Sequence, residues 1–213
     1  SHDIRTPMNV ILGYNALMKQ YLTDPILVDY QNKIEQSGKL LLSIINNVLD
    51  MARIESGKMV VEERAEQIGL VVEELESVFE SSAQEKNIVF TTSVDVSHTH
   101  VLCDGFKVRE ILMNLVGNAF KYTPDGGHIA IDVKELDCEK PGYVRFQTQV
   151  KDTGIGMSED FLPTLFDSFS REYNTTIGKV SGTGLGMSIV KNLVDMMNGE
   201  ICVQSKLGEG TCF

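Results

Sequence analysis

The sequence predicts two domains: an all-α antiparallel helical hairpin over residues 1–57, and an α+β sandwich over residues 58–213. Three observations predict this. Apolar residues across 1–56 recur alternately three and four apart, the period of a helix packed along a seam. From Lys58 onward, β-rich runs alternate with helical stretches. The charge also divides unevenly: residues 1–57 carry five basic and six acidic side chains, residues 58–213 carry 14 and 24.

In the first domain, Ile4, Met8, Ile11, Asn15, Met18 and Leu22 trace a seam with one polar member over a helix spanning 1–22. Thr23-Asp24-Pro25 interrupts it, and Pro25 suits the first position of a second helix. That helix, over 26–56, carries Leu27, Tyr30, Ile34, Ser37, Leu41, Ile44, Val48 and Met51 on one line, and Gly57 ends it. Leu42, Ile45, Leu49 and Ala52 widen its apolar stripe beyond what one partner helix covers. Two such helices are expected to bury themselves by dimerising into a four-helix bundle. At 1.5 Å per residue they would be ~33 and ~46 Å long. The chain is accordingly expected to be a fragment whose first helix lacks roughly two turns.

In the second domain, Val60-Val61, 88–94, 129–136, 143–150 and 201–205 read as strands, and 137–142 as the turn of a hairpin. Helices are expected at about 67–86, 104–122, 158–168 and 184–198.

Composition narrows the function classes. The net charge of −11 over 213 residues, with a pI near 4.8, excludes nucleic-acid binding through bulk charge. Any phosphate must be held by local geometry. The longest uncharged central run, residues 40–49, is too short and polar to span a bilayer. No signal peptide is visible at the N-terminus. The four cysteines form no CxxC pair and are expected to be reduced, packed thiols of a cytoplasmic fragment, whatever anchors the parent chain. His98 and His100 lack a third metal ligand, and the nine methionines read as core filler.

Three elements carry chemistry. Asp152-Thr153-Gly154-Ile155-Gly156-Met157 follows a strand, and Gly182-Thr183-Gly184-Leu185-Gly186-Met187 opens a helix. Glycines there let the backbone approach a ligand, and a helix N-terminus offers unpaired N–H groups to phosphate. Neither loop is a GxGxxG or GxxxxGK[ST] motif. The third element is Arg109–Tyr122, where Asn114, Asn118 and Lys121 fall at i, i+4 and i+7 on one helix face. Two amides and an ammonium there suit a hard Mg²⁺ ion and a phosphate; the same pattern also suits a solvated helix face.

Six motifs in order make the resemblance specific. Ser1-His2-Asp3-Ile4-Arg5-Thr6-Pro7 resembles the phosphoacceptor box of bacterial two-component sensor histidine kinases, and residues 114–122 resemble their Asn box. Residues 152–157, 166–171, 182–187 and 208–211 resemble the two glycine boxes, the Phe box and the last glycine motif. The resemblance implies a dimerisation and phosphotransfer hairpin, followed by the ATP-binding domain shared with gyrase, Hsp90 and MutL.

The roles follow from that resemblance. His2 is the implied phosphoacceptor: a neutral imidazole has a free lone pair near pH 7, and a carboxylate that takes the proton from its other nitrogen assists attack. Asp3 is the implied base, where the family more often has Glu. Thr6, one turn after His2, orients water for dephosphorylating the partner regulator, or caps the helix near Pro7. Pro7 is expected to bend the helix. Asn118 is the implied Mg²⁺ ligand, helped by Asn114. Lys121 meets phosphate, Tyr122 meets the nucleoside, and Asp152 accepts from the adenine amino group. Gly154 and Gly156 pass close to the base. Gly182, Thr183, Gly184, Leu185 and Gly186 bind nucleotide at the edge of a lid over 172–183, and Arg171 balances γ-phosphate charge. Phe166 and Phe169 pack the base of the lid. Lys107 stands where relatives usually carry Arg. The implied activity is ATP-dependent autophosphorylation of His2, then transfer to an Asp of a response-regulator receiver domain, with regulator phosphatase activity implied by Thr6. An ATP hydrolase of the gyrase type would need a carboxylate where Asn114 stands. A catalytically degenerate scaffold would not keep every catalytic position filled.

Overall fold

Two helices arise where the three-and-four alternation predicts them: α1 (His2–Lys19) and α2 (Pro25–Glu55). These belong to a computed structural model that describes residues 2–172 and 183–213, in two units, Ser1–Met59 and Val60–Phe213. Asp24 starts α2 in extended conformation, with its carboxylate accepting from the Ile26 amide at 2.8 Å and Pro25 in the first turn. This cap satisfies a donor that a helix start otherwise leaves unpaired. At the far end, the Gly57 amide donates to Ile54 O and the Lys58 amide to Arg53 O, with Gly57 at φ +63. A left-handed glycine closing a helix in this way is the expected stop. α1 runs without a break through Pro7.

The helices lie antiparallel, as the pairs Arg5–Asn46 and Asn15–Gln31 show. At Gly38 a Cβ would come within 2.7 Å of Leu12 Cδ2, so glycine sets the closest approach of the two helices. Asn15 and Gln31 are both buried. Each donates its amide to the other's main-chain oxygen, at 3.1 and 3.3 Å. The seam differs from the one the heptads mark. Met8, Leu12 and Asn15 turn inward, but Ile4, Ile11 and Met18 remain exposed, as do Leu27, Tyr30, Ile34, Leu41 and Val48. The reason is geometric: a hairpin covers one narrow stripe per helix, and these stripes are wider than that.

The second unit holds a five-stranded sheet in the order β2-β4-β5-β7-β6. Its strands are β2 (Val89–Asp95), β4 (His128–Leu136), β5 (Arg145–Asp152), β6 (Gln204–Lys206) and β7 (Gly210–Cys212). β2 runs parallel to β4, and the other pairs are antiparallel. A separate two-stranded ladder joins β1 (Arg64–Gln67) to β3 (His100–Cys103). Along β4, Ile129, Ile131 and Val133 alternate into the core, the period-two signature of a sheet covered on one face. Helix α3 (Ile68–Glu85) covers them with Val71, Val72 and Leu75. Helix α4 (Gly105–Tyr122) adds Leu112, Leu115, Val116 and Ala119, and helix α5 (Gly186–Met196) adds Val190. Phe79 stacks on Phe120 at 4.9 Å, with Phe90 edge-on to both, tying α3, β2 and α4 together. This is the α+β sandwich the sequence predicts.

Several elements depart from the sequence reading. Val60-Val61 is not a strand; β1 begins at Arg64, and β3 is an unforeseen partner for it. The helix expected at 158–168 is only a 3₁₀ turn, Leu162–Thr164, because Pro163 removes an amide and blocks continuation. Of the strand expected at 201–205, only the part facing β7 forms, since Cys212 lies opposite Gln204. Among the cysteines, all four are free but Cys202 is exposed rather than packed.

Asp104 anchors the start of α4. One carboxylate oxygen accepts from the Lys107 amide at 3.1 Å. The other accepts from the Glu62 amide at 2.9 Å and the Lys107 ammonium at 2.7 Å. Lys107 also donates to Val60 O, so its single charge serves two acceptors with no need for a bidentate guanidinium. Burial alone would raise the Asp104 carboxyl, but hydrogen bonds from the Lys107 side chain and the Glu62 and Lys107 amides outweigh it and hold it below the usual carboxylate range. Asp104→Ala removes a cap and strands a mostly buried ammonium, so a loss of about 2–4 kcal/mol is expected on denaturant unfolding at pH 7. A depressed folded-state pKa contributes stability above the unfolded value of about 3.9 and loses it as pH falls through the folded value. The gap between wild type and variant is therefore expected to narrow below about pH 4.

Candidate functional site

Helix α4 is amphipathic. Its apolar side faces the sheet, which turns Asn114, Asn118 and Lys121 to the opposite side, each half-buried. That polar face meets the first turn of α5. Asn118 Nδ2 contacts Met187 Sδ at 3.3 Å, and a Cβ on Gly186 would come within 2.9 Å of Asn114 Oδ1. The Asn114 amide nitrogen is turned back to Glu110 O at 2.9 Å, so its oxygen points toward Gly186. The Asn114 amide oxygen and the Asn118 amide nitrogen thus face a helix N-terminus, whose own amides favour anions. Lys121 Nζ lies 5.0 Å from the centre of the Tyr122 ring.

The second glycine loop is built for close approach. Gly184 has φ +73, and a Cβ there would strike the Phe169 backbone at 2.8 Å. The Phe169 amide donates to Gly184 O at 2.9 Å, and Thr183 Oγ1 accepts from the Leu185 amide at 3.2 Å. Leu185 is buried and anchors the loop. Phe169 does not pack as expected: its backbone is held at φ +65 while its ring is exposed. Gly182 and most of the expected lid, 173–182, lie outside the described residues. Arg171 is exposed at the end of the described segment before them.

The first glycine loop wedges between the end of α4 and the β6–β7 turn. A Cβ on Gly154 would meet Tyr122 O at 2.8 Å, and one on Gly156, at φ +64, would collide with Lys206 O. The Ile155 amide donates to Tyr122 O and the Gly208 amide to Ile155 O. Asp152 ends β5 in a buried position and accepts from the Gly154 amide at 2.7 Å. Burial pushes its carboxyl up, partly opposed by hydrogen bonds from the Gly154 and Thr211 amides. The contribution of Thr211 was not legible in the sequence, because it depends on β5–β7 register.

The structure therefore brings Asn114, Asn118 and Gly186 together at one place, and Tyr122, Asp152, Gly154 and Gly156 at another, with α4 running through both. In the first unit, His2 and Asp3 open α1, with side chains outside the described ones, and Thr6 follows one turn later, exposed. Among the described residues no group of three His, Cys, Asp or Glu side chains is arranged to hold a metal. No described helix is long and apolar enough to cross a membrane.

The profile of the His Kinase A (phospho-acceptor) domain matches residues 1–57, and that of the Histidine kinase-, DNA gyrase B-, and HSP90-like ATPase family matches residues 103–213. The sensor protein GacS of Pseudomonas syringae pv. syringae is 37% identical over 214 residues, covering 100% of this chain and 23% of its own. The chain thus spans about a quarter of the length of the curated relatives it matches. Among solved structures, full-length ShkA in complex with AMPPNP is 30% identical with a TM-score of 0.75, covering 100% of this chain and 43% of that one. The histidine kinase ThkA in complex with the response regulator TrrA is 26% identical with a TM-score of 0.65, covering 100% and 57%. With both profiles in chain order and the glycine loops seated against an asparagine helix, the chain belongs to the histidine kinase-, DNA gyrase B- and HSP90-like ATPase family, as the core of a two-component sensor histidine kinase.

Proposed function

We propose that this chain binds ATP in the second unit, phosphorylates His2 in the first, and donates the phosphoryl group to an Asp of a response-regulator receiver domain. One observation carries the reading: the asparagine face of α4 meets the N-terminal turn of α5 at Asn118–Met187 and Asn114–Gly186. This arrangement sets two side-chain amides, a source of oxygen ligands for a hard cation, beside backbone amides that suit phosphate. Asp152 accepts from the adenine amino group, with Gly154 and Gly156 giving the base close access to the backbone. Tyr122 lies at the nucleoside side, and Lys121 and Arg171 supply positive charge to the phosphates of an otherwise acidic unit. Thr183, Gly184, Leu185 and Gly186, with Gly182, frame the phosphates.

The amide set of Asn118 and Asn114 fits Mg²⁺, a hard ion that keeps most of its waters, with Asn118 as ligand and Asn114 assisting. Bound there, the ion neutralises charge on the transferred phosphate. In the transfer, one neutral imidazole nitrogen of His2 attacks the γ-phosphorus. A P–N bond forms, the P–O bond to ADP breaks, and Asp3 accepts the proton from the other ring nitrogen. ATP binding is supported by the family and by the AMPPNP complex of ShkA, and the regulator partner by the ThkA–TrrA complex. A homodimer through the hairpin is supported by Ile11, Tyr14, Met18, Ile34 and Leu41, apolar side chains that the hairpin leaves exposed. Thr6, exposed one turn after His2, is the residue for regulator dephosphorylation.

The test is incubation with γ-labelled ATP and Mg²⁺, with and without a receiver domain. Acid-labile, base-stable label on the chain, lost to the receiver on mixing, is the expected result. A chain that binds ATP and stays unlabelled, alone and when extended upstream of Ser1, overturns the reading.

A further inference from the structure

Helix α4 ends at Thr123-Pro124. Proline at 124 carries no amide hydrogen, so the Phe120 carbonyl loses the i+4 donor that a continuing helix would supply. The Ala119 carbonyl is served by the Thr123 amide, and the Tyr122 carbonyl by the Ile155 amide. For Phe120 the donor is a side chain from another element: Lys86 Nζ reaches Phe120 O at 2.7 Å and Thr123 O at 3.1 Å. Lys86 lies in the α3–β2 corner, 34 residues upstream of Phe120 in sequence, and is half-buried. Its two acceptors flank Lys121 and Tyr122, at the end of a helix where partial negative charge favours a cation.

The corner that carries Lys86 is itself held rigidly. Its amide donates to Ser82 O at 3.2 Å, its carbonyl accepts from the Gly126 amide at 2.9 Å, and the Ile88 amide returns to Ala83 O at 2.9 Å. Side chain and main chain of one residue therefore grip the 120–126 segment at three points. That segment supports the first glycine loop: the Ile155 amide bonds to Tyr122 O, and Gly154 is pressed against the same carbonyl.

We propose that Lys86 is a positioning residue for the nucleotide: its ammonium replaces the amide missing at Pro124 and fixes the turn that presents Lys121, Tyr122 and the Gly154 loop. The inference rests on the ATP-binding reading above. Lys86 touches no nucleotide itself; it acts through the Phe120 and Thr123 carbonyls. It therefore governs how well the site is preorganised for binding more than the chemistry of transfer, which takes place at the far end of the triphosphate.

The experiment compares wild type, Lys86→Met and Lys86→Arg, all as the whole chain. ATP affinity is measured by calorimetry, autophosphorylation by labelling, and folding by thermal melting. Lys86→Met keeps the stem and the main-chain bonds but loses the donor. It is expected to raise Kd and KM for ATP five- to tenfold with kcat within twofold of wild type. Lys86→Arg, which can still donate to both carbonyls, is expected to restore affinity to within twofold. A purely structural role would lower melting temperature and kcat together, with no rescue of affinity by Lys86→Arg. That result, or ATP binding by Lys86→Met within twofold of wild type, overturns the inference. Should Lys86→Met not fold, affinity of Lys86→Arg more than twofold below wild type overturns it. Failure of the wild type to bind ATP instead overturns the nucleotide-binding reading.

Discussion

Replacing His2 by alanine is expected to abolish acid-labile phosphate on the chain while leaving ATP binding and the melting temperature of the second unit unchanged. A phosphoramidate needs a neutral imidazole nitrogen at the attacking position, and alanine offers no nucleophile. The remaining histidines, His98, His100 and His128, all lie in the ATP-binding unit rather than on α1. His98 Nδ1 is paired with Glu135 at 2.7 Å, and His128 with Thr91 Oγ1 at 3.3 Å. None of them follows the seven-residue box, so none is expected to substitute. Retention of acid-labile label in His2→Ala would remove His2 from its role. The Asn118→Ala variant is expected to be equally unlabelled for the opposite reason: it keeps the acceptor and loses the cation ligand. Mixing the two variants then separates transfer within one subunit, which leaves both silent, from transfer across a dimer, which restores label.

Asp152→Asn is expected to move stability and function in opposite directions. Burial holds the Asp152 carboxyl above its ordinary range, against the Gly154 and Thr211 amides that favour its charged form. A raised folded-state pKa means that the contribution of this group to stability is complete below the unfolded value of about 3.9. It is lost as pH rises through the folded value. At pH 7 the charge is therefore a cost, and asparagine, close in shape to the protonated acid, removes it. The variant is expected to melt at or above the wild-type temperature at pH 7, with the difference vanishing below about pH 4. ATP binding is expected to fall by about 10- to 100-fold, because a hydrogen bond to a charged acceptor is worth about 1.5–3 kcal/mol. An amide also presents donors that the adenine amino group cannot use. A variant that is both less stable and normal in ATP affinity would assign Asp152 to structure alone.

Local pattern was enough to locate most of the fold. The hairpin, its break at Asp24-Pro25 and its stop at Gly57 are consequences of helix period and capping chemistry, which act within a turn or two of the residues concerned. The β4–β5 hairpin and α4 followed from period and turn signals in the same way. The failures share a cause as well. β1 and β3 are four residues each and form because they pair with one another, which no window along the chain reveals. The helix expected at 158–168 satisfied the apolar spacing but not the amide requirement at Pro163.

The candidate site divides along the same line. The residue types, Asn114, Asn118, Asp152 and the glycines, stand out by spacing, and a resemblance in six ordered motifs tells what they serve. Their convergence does not: Asn118 meets Met187 across 69 residues, and Gly154 packs against Tyr122 O at the end of α4. Lys86 is the sharpest case, since its sequence neighbours are unremarkable and its importance arises only because Pro124 leaves a carbonyl without a donor. Sequence by itself determined the succession of a helical pair and an α+β sandwich, the caps of α2 and the chemical inventory, because these depend on propensity, period and caps that act locally. Only tertiary structure decided which stripe of each hairpin helix is covered, which strands pair, and how the asparagine face, both glycine loops and Lys86 meet around α4. Those outcomes are set by packing and by the hydrogen-bonding demands of buried polar groups, and both join residues far apart in the chain.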